Sequence, residues 1–191
     1  SVVSLCFSSD SSKLIVVSQA AESRIEVFDW RQKKKPIVVQ QIDRSKILAM
    51  RSNPYDDANV TTFVTSGVNH IRGWALKDDS LKGHSWTGDS RGKGVLQTIP
   101  TVTFPHKNTV IAGTQGGSLY VFKISAGSLM LVKTIDNAHQ HGPVYELWSN
   151  EAKLMSGGKD GLVNVWRFSV KLGSIDLQYL KSYDIAEHTG R

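Results

Sequence analysis

The sequence predicts an all-β fold in which one four-stranded unit is repeated four times. Four segments share a short β-branched run, a turn rich in Gly, Ser, Asn or Asp, and a strand that reaches an aromatic residue. These segments are 16–30, 63–76, 110–124 and 154–168. Their aromatic residues are Phe28, Trp74, Phe122 and Trp166, with spacings of 46, 48 and 44 residues. Because this period is close to the length of a β-propeller blade and no segment shows helical periodicity, we predict a propeller of about four blades, each with four antiparallel strands.

Each unit also contains an earlier and a later candidate strand. We predict innermost strands at 2–8, 47–52, 100–105 and 143–149, and outermost strands at 37–43, 128–136 and 177–185. In the second unit the outer strand is expected somewhere within 80–97, together with a long loop. The predicted blades cover approximately 1–44, 45–97, 98–137 and 138–186. Since a terminal blade without a neighbour exposes apolar faces, we expect these blades either to belong to a larger propeller or to pair with another copy.

The composition limits the class of protein. The 191 residues are 40% hydrophobic and 21% charged, which is typical of a globular chain. No apolar run approaches the roughly 18 residues that span a bilayer, and the first residues lack the basic region of a signal peptide. The single cysteine, Cys6, lies in an apolar run, so we interpret it as a buried, inert thiol in a reducing compartment.

Basic and aromatic residues outside the repeat are candidates for partner binding. The net charge of +6 favours acidic partners. A basic cluster at 31–35 falls where a hairpin loop is expected, and an ordinary solvated loop is the alternative interpretation. Trp86 in the polar insertion either packs on its own blade or contributes to a binding surface, whereas Trp148 is predicted to be core. The predicted binding loops are 31–35, 53–60 and 82–94, and the candidate binding residues in the first and third of them are Arg31, Lys33, Lys34, Lys35, Trp86, Arg91 and Lys93.

Little in the sequence suggests catalysis or a cofactor. His139, Ser156 and Asp160 are the residue types of a hydrolase triad, but no G-x-S-x-G elbow accompanies them. No His, Cys and carboxylate group has metal-ligand spacing. The segment 88–94 lacks the spacing of a phosphate-binding loop, and no nucleic-acid-binding motif is present. We therefore predict a protein that is not an enzyme, has no cofactor, metal or small-molecule substrate, and binds proteins rather than nucleic acid.

The fourth unit has the most specific motif, which resembles the WD-repeat family. It reads AHQHGPV at 138–144, SGGKDG at 156–161, and Val165-Trp166. The resemblance implies a buried chain of hydrogen bonds from Trp166 to Ser156 to His139 to Asp160. Such a network fixes one arrangement of loop and strand, because buried polar groups need partners.

The same positions are degenerate in the other three units. The first unit has Ser18 and Glu22 at the serine and aspartate positions, and the third has Ala112 and Gly116. The second keeps Trp74 but its turn is one residue shorter. We therefore expect the complete network only in the fourth blade.

Longer stretches are similar to the echinoderm microtubule-associated protein-like family. The similar segments are 25–30, 63–76 (FVTSGVNHIRGWAL, followed by Ser80-Leu81), 143–145 and 156–160. The resemblance implies a tandem pair of propellers that binds tubulin and microtubules, with this chain inside the first. We therefore predict a cytoplasmic, cytoskeletal binding scaffold. The alternative is a general WD-repeat assembly scaffold in a ciliary, trafficking or ubiquitin-ligase complex, without tubulin contact. Neither hypothesis involves a membrane.

Overall fold

The structure is a computed structural model that describes residues 1–19, 22–32, 35–42, 44–57, 59–89, 94–171 and 174–189. These residues form four antiparallel sheets of four strands, followed by a short helix, α1 (Ile185–Thr189). The predicted all-β propeller architecture is thereby confirmed. Among the described residues, no helix has the length and apolar character needed to cross a membrane.

The sheets follow one another along the chain, and each is built from four consecutive strands. Sheet 1 contains β1 (Val2–Phe7), β2 (Leu14–Gln19), β3 (Ser23–Phe28) and β4 (Val38–Gln41). Sheet 2 contains β5 (Ile47–Ser52), β6 (Thr61–Gly67), β7 (His70–Lys77) and β8 (Ser80–Ser85). Sheet 3 contains β9 (Thr101–His106), β10 (Thr109–Gly113), β11 (Leu119–Ser125) and β12 (Ser128–Ile135). Sheet 4 contains β13 (Val144–Ser149), β14 (Lys153–Gly158), β15 (Leu162–Lys171) and β16 (Ser174–Asp184).

Tight turns place the outer strands. Asp78 and Asp79 join β7 to β8 with φ angles of 49° and 59°, and Ala126 and Gly127 join β11 to β12 with φ angles of 46° and 81°. Two consecutive positive φ angles match the twist of an antiparallel hairpin, so the strands pair directly on either side of the turn. The outer strand of the second unit, which the sequence places only within 80–97, is therefore β8, paired from Ser80 onward.

Each sheet has two chemically different faces. One face, the aromatic face, carries the aromatic anchor of the repeat and its cross-strand partner. These pairs are Phe28 with Leu14, Trp74 with Phe63, Phe122 with Val110, and Trp166 with Leu154. The opposite face, the aliphatic face, carries mainly aliphatic side chains, such as Val17 and Ile25 in sheet 1.

The aliphatic face of each sheet packs against the aromatic face of the next. Trp74 packs with Ile15 and Val27 of sheet 1. Phe122 packs with side chains of sheet 2, namely Val64 and Ile71, and Trp166 packs with side chains of sheet 3, namely Ile111 and Val121. The inner strands β1, β5, β9 and β13 lie side by side in that order. The core is therefore three similar layers between four sheets.

The two ends of the stack carry different segments. One end, the hairpin end, has the turns between β1 and β2 and their equivalents in the other sheets, together with the turns that follow β3, β7, β11 and β15. The opposite end, the loop end, has the connections from one sheet to the next. Hydrogen bonds join neighbouring sheets at the hairpin end: Ser9 Oγ donates to the Asp56 carbonyl over 2.9 Å, and Asn53 Nδ2 donates to the Lys107 carbonyl over 2.8 Å.

Candidate functional site

The structure brings together the four side chains of the sequence-predicted network in sheet 4. Trp166 Nε1 donates to Ser156 Oγ over 3.0 Å, Ser156 Oγ lies 2.9 Å from His139 Nε2, and His139 Nδ1 lies 2.8 Å from Asp160 Oδ1. A carboxylate only accepts hydrogen bonds, so Nδ1 of His139 is the donor to Asp160. Ser156 is fully buried and its hydroxyl is engaged on both sides, so the group holds the loop rather than offering a nucleophile.

Backbone contacts hold the loop of His139 between sheets 3 and 4. His139 N donates to the Gly117 carbonyl over 2.9 Å, and Asn164 Nδ2 donates to the Ala138 carbonyl over 2.6 Å. Gly117 has a φ angle of +84°, and a Cβ there would lie 2.0 Å from the His139 carbonyl oxygen. The backbone of the third blade therefore approaches the loop more closely than any side chain allows.

A second polar chain lies in sheet 2, where the sequence predicts none. Trp74 Nε1 donates to Thr65 Oγ1 over 3.0 Å, and Thr65 Oγ1 lies 3.0 Å from His70 Nε2. All three side chains are buried. Here the histidine comes from the first residue of β7 and not from the loop before the inner strand. The signal that could have revealed it is a hydroxyl residue two positions beyond the partner of the anchor tryptophan, with a histidine just after the turn.

The register corrects one position in sheet 1. Ser156 lies two residues beyond Leu154, the partner of Trp166. In sheet 1 the partner of Phe28 is Leu14, so the equivalent residue is Val16 and not Ser18, which pairs with Arg24. The position assigned to Ser18 is therefore wrong. In sheet 3, Ala112 does occupy the equivalent position, two residues beyond Val110.

The structure places Trp86 in the core, so its prediction as a partner-binding residue is wrong. Its side chain is 8% exposed and meets the rings of Tyr120 and Phe122 edge-on, at centroid distances of 5.9 and 5.2 Å. Trp86 N donates to the Ile71 carbonyl over 3.1 Å, which continues the pairing of β8 with β7. The indole therefore fills the layer between sheets 2 and 3, where its burial contributes to stability.

The exposed tryptophans are Trp30 and Trp148, at 46% and 53%. The prediction of Trp148 as a core residue is therefore wrong: it lies on the aliphatic face of sheet 4, against which no described sheet packs. Trp30 is held in place at the hairpin end by a hydrogen bond from Nε1 to the Ser11 carbonyl of 3.0 Å and by the edge of Phe7. Its neighbour Arg31 places its guanidinium 5.2 Å from the indole centroid.

The three predicted binding loops do not share one surface. Arg31 and Lys35 are exposed at the hairpin end, where the turn within 53–60 also lies. The segment after β8 lies at the loop end, on the opposite side of the molecule. Four of the candidate binding residues lie outside the described residues, namely Lys33, Lys34, Arg91 and Lys93.

Comparison with solved structures identifies the architecture. The chain superposes on the β-propeller domain of Cps50 (Swd1) from Myceliophteria thermophila with a TM-score of 0.73, over 98% of this chain and 61% of that one, at 11% sequence identity. Together with the Trp–Ser–His–Asp network, this superposition decides the fold. The chain has a β-propeller fold, and the motif of its fourth sheet resembles the WD40 repeat. No family model matches its sequence.

Curated proteins similar to this propeller agree with the resemblance found in the sequence. It is 26% identical to echinoderm microtubule-associated protein-like 2 of Mus musculus over 154 residues, and 27% identical to the Homo sapiens protein over the same length. Both matches cover 80% of this chain and 22% of the relative. It is also 23% identical to cilia- and flagella-associated protein 44 of Mus musculus over 186 residues, which is 96% of this chain and 9% of the relative. The chain thus spans about a fifth or less of the length of these relatives.

The single cysteine of the chain, Cys6, lies on β1 and is not activated as a nucleophile. Burial raises the pKa of the Cys6 thiol to about 11, although a hydrogen bond with Ser52 and the charge of Arg51 partly offset this effect. Such a thiol is protonated and a poor nucleophile near neutral pH. In the part of the chain that the structure describes, no three His, Cys, Asp or Glu side chains are grouped so as to hold a metal ion.

Proposed function

We propose that this propeller is a non-catalytic protein-binding scaffold that associates with microtubules. The similarity to echinoderm microtubule-associated protein-like 2 over 80% of the chain carries this proposal. The geometry agrees with a scaffold, because the polar side chains of the motif are hydrogen-bonded to one another inside the fold. His139 and Ser156 are buried and bonded to each other, so they fix the shape of a loop.

Charge supplies the physical attraction in this proposal. Tubulin is acidic and the chain has a net charge of +6, so long-range attraction would speed encounter and weaken as salt is added. We place the contact at the hairpin end, where Arg31 and Lys35 are exposed and the Arg31 guanidinium lies 5.2 Å from the centroid of the Trp30 ring. A tryptophan immobilised next to an arginine is the kind of side-chain pair that dominates binding energy at interfaces.

Co-sedimentation with microtubules at two salt concentrations tests the association. We expect the protein to pellet with microtubules at low salt and to do so less at high salt. An absence of pelleting at low salt would contradict the proposal.

Paired charge reversals test the location. Arg31→Glu with Lys35→Glu should reduce pelleting. The matched control is Lys46→Glu with Lys159→Glu, which makes the same change in net charge on exposed side chains at the loop end. Equal losses in the two double variants would show a general charge effect and contradict a contact at the hairpin end.

A second candidate function is a ciliary assembly scaffold without tubulin contact. It is favoured by the match to cilia- and flagella-associated protein 44, which covers 96% of this chain. Affinity capture from ciliated cells distinguishes the two candidates. Recovery of tubulin in proportion to the bait supports the first, whereas recovery of other ciliary proteins without tubulin supports the second.

A further inference from the structure

A pocket of about 530 Å³ opens at the loop end, between the connection from sheet 3 to sheet 4 and the aromatic face of sheet 4. Its lining residues lie within 135–141, at Asp160 in the turn after β14, and on β15 and β16. We call it the loop pocket. Its walls belong to the interface between sheets 3 and 4, and its volume lies within the range of about 300–1,000 Å³ that is typical of ligand sites.

Asp160 uses one carboxylate oxygen in the buried network and leaves the other available. Oδ1 lies 2.8 Å from His139 Nδ1 and accepts a hydrogen bond from the Leu162 amide over 3.2 Å. Oδ2 accepts no hydrogen bond from the residues that the structure describes. The Asp160 side chain is nevertheless only 5% exposed, and it lines the loop pocket. Since buried carboxylate oxygens are normally hydrogen-bonded, Asp160 offers the pocket an acceptor that a ligand can satisfy.

Two further acceptors lie in the same pocket. Asn164 is buried, and its Nδ2 donates to the Ala138 carbonyl over 2.6 Å, so its amide oxygen is the atom left without a partner among the described residues. Asp136 brings a second carboxylate at the exposed rim, where the hydrogen bond from Ser118 Oγ is long, at 3.4 Å. The described residues that line the pocket include no Lys or Arg. The pocket is therefore locally acidic in a chain with a net charge of +6.

Aromatic rings form the apolar part of the wall. Trp166 and Tyr179 both line the pocket and pack edge to face, with ring centroids 5.5 Å apart. Trp166 is buried, whereas Tyr179 is 51% exposed. A guanidinium group suits this combination, because it is planar, stacks on aromatic rings and donates several hydrogen bonds to carboxylates at the same time. An ammonium group is a compact charge with fewer donors, so the pocket favours arginine over lysine.

We propose that the loop pocket binds an arginine side chain of a partner protein. The guanidinium donates to Asp160 Oδ2 and to the Asn164 amide oxygen, the Asp136 carboxylate adds attraction at the rim, and Tyr179 packs against the side chain. This site lies at the opposite end of the stack from the contact proposed for microtubules. It goes beyond that association and does not depend on it, since its partner is a basic segment and not an acidic surface.

A nuclear magnetic resonance titration with Nα-acetyl-arginine methylamide tests the site. The Trp166 indole N–H and the Asn164 side-chain amide report on the pocket that both residues line. We expect both signals to shift and to saturate with a Kd on the order of millimolar, as for a ligand of this size. Nα-acetyl-citrulline methylamide has nearly the same shape without the charge, and it should bind at least about tenfold more weakly.

The two probes also define the results that would overturn the proposal. Shifts that fail to saturate with the arginine probe would show that the pocket does not bind this side chain. Equal affinity for the citrulline probe would show that the carboxylates do not select a cation.

Paired variants test the location of binding. Asp136→Asn removes the carboxylate at the rim and should weaken binding of the arginine probe by about two- to fivefold, as for a solvated ion pair. The matched control is Asp176→Asn. Asp176 lies on β16 outside the pocket, is 66% exposed and pairs with Lys133, so this variant makes the same change in net charge and should leave the Kd unaltered. Unchanged binding by Asp136→Asn, or equal losses in the two variants, would overturn the assignment.

Discussion

Gly158 lies directly against the imidazole of His139: a Cβ at Gly158 would come within 2.2 Å of His139 Nδ1. The glycine therefore leaves the space in which the histidine reaches both Ser156 and Asp160. A methyl group at this position must displace the ring and break the buried hydrogen bonds.

We predict that Gly158→Ala destabilises the protein by about 2 kcal/mol, because displacement of the ring leaves buried polar groups without partners. The matched control is the neighbouring Gly157→Ala, since a Cβ there meets nothing within 4 Å. Urea unfolding of the two variants measures the difference. Equal effects would contradict the assignment of Gly158 to the histidine.

The network of sheet 2 gives a second prediction. Thr65→Val keeps the shape of the side chain but removes the acceptor for Trp74 Nε1, so it should cost about 1–3 kcal/mol. Ser66 is the adjacent control. Its buried Oγ has no hydrogen-bond partner, so Ser66→Ala should be neutral or stabilising. Thermal or urea unfolding would contradict the network if Thr65→Val were the milder change.

Trp86 is predicted to act on stability and not on binding. Trp86→Ala empties a site between Tyr120 and Phe122 and should lower the free energy of unfolding by about 3–5 kcal/mol. Trp30→Ala removes a side chain that is 46% exposed and should cost less. A Trp86→Ala variant with unaltered stability would contradict the packing of the indole in the core.

The titration of the Asp10 carboxyl should lower the free energy of unfolding in acid. Hydrogen bonds from the Ser8 hydroxyl and the Ser12 amide hold the pKa of the Asp10 carboxyl below its usual value of 3.8. A lowered pKa in the folded state gives stability that is present above the ordinary pKa and lost as pH falls through the folded-state pKa. The advantage in unfolding free energy of the unaltered protein over Asp10→Asn should therefore shrink between about pH 6 and about pH 3.

Asp56 provides an internal comparison of opposite sign. Burial raises the pKa of its carboxyl, although hydrogen bonds from Thr62 act in the other direction. Its titration therefore favours the folded state most below the ordinary pKa, and this contribution falls as pH rises through the folded-state pKa. The free energy of unfolding of the unaltered protein, relative to that of Asp56→Asn, should therefore rise as the pH is lowered. The same slope for the Asp10 and Asp56 variants would contradict these opposite shifts.

The sequence predicts the repeats and the network of the fourth blade because both depend on local spacing. His139, Ser156 and Asp160 lie within one unit and follow one motif. The assignment of Ser18 to the serine position is wrong because it counts a fixed number of residues back from the aromatic anchor. Such a count assumes that the hairpin between the second and third strands has the same length in every sheet. Phe28 and its partner Leu14 are 14 positions apart along the chain, whereas Trp166 and its partner Leu154 are 12 apart, so the hairpin of sheet 1 is two residues longer.

Burial between sheets could not be predicted in the same way. Trp86 has polar neighbours in sequence, which is typical of a loop, whereas in the structure it packs against Tyr120 and Phe122 of the next unit. Trp148 shows the opposite outcome. It lies in a regular strand, which is typical of a core residue, but no described sheet covers the aliphatic face of sheet 4 on which it lies. Both outcomes depend on which sheets pack against each other. The sequence of a single strand does not specify the sheet that packs on it, so it does not predict the burial of its side chains.

The pairing of every described strand with strands of its own sheet has a consequence for how the chain acquires its fold. All four strands of a sheet are available once about forty consecutive residues have left the ribosome. The hydrogen bonds between these strands require no residue that is synthesised later. Sheet 1 can thus form while sheet 4 is still being synthesised, and each new sheet finds the aliphatic face of its predecessor already in place as a template. Contacts between residues near in sequence also shorten the conformational search, so folding should be faster than in sandwiches that pair distant strands.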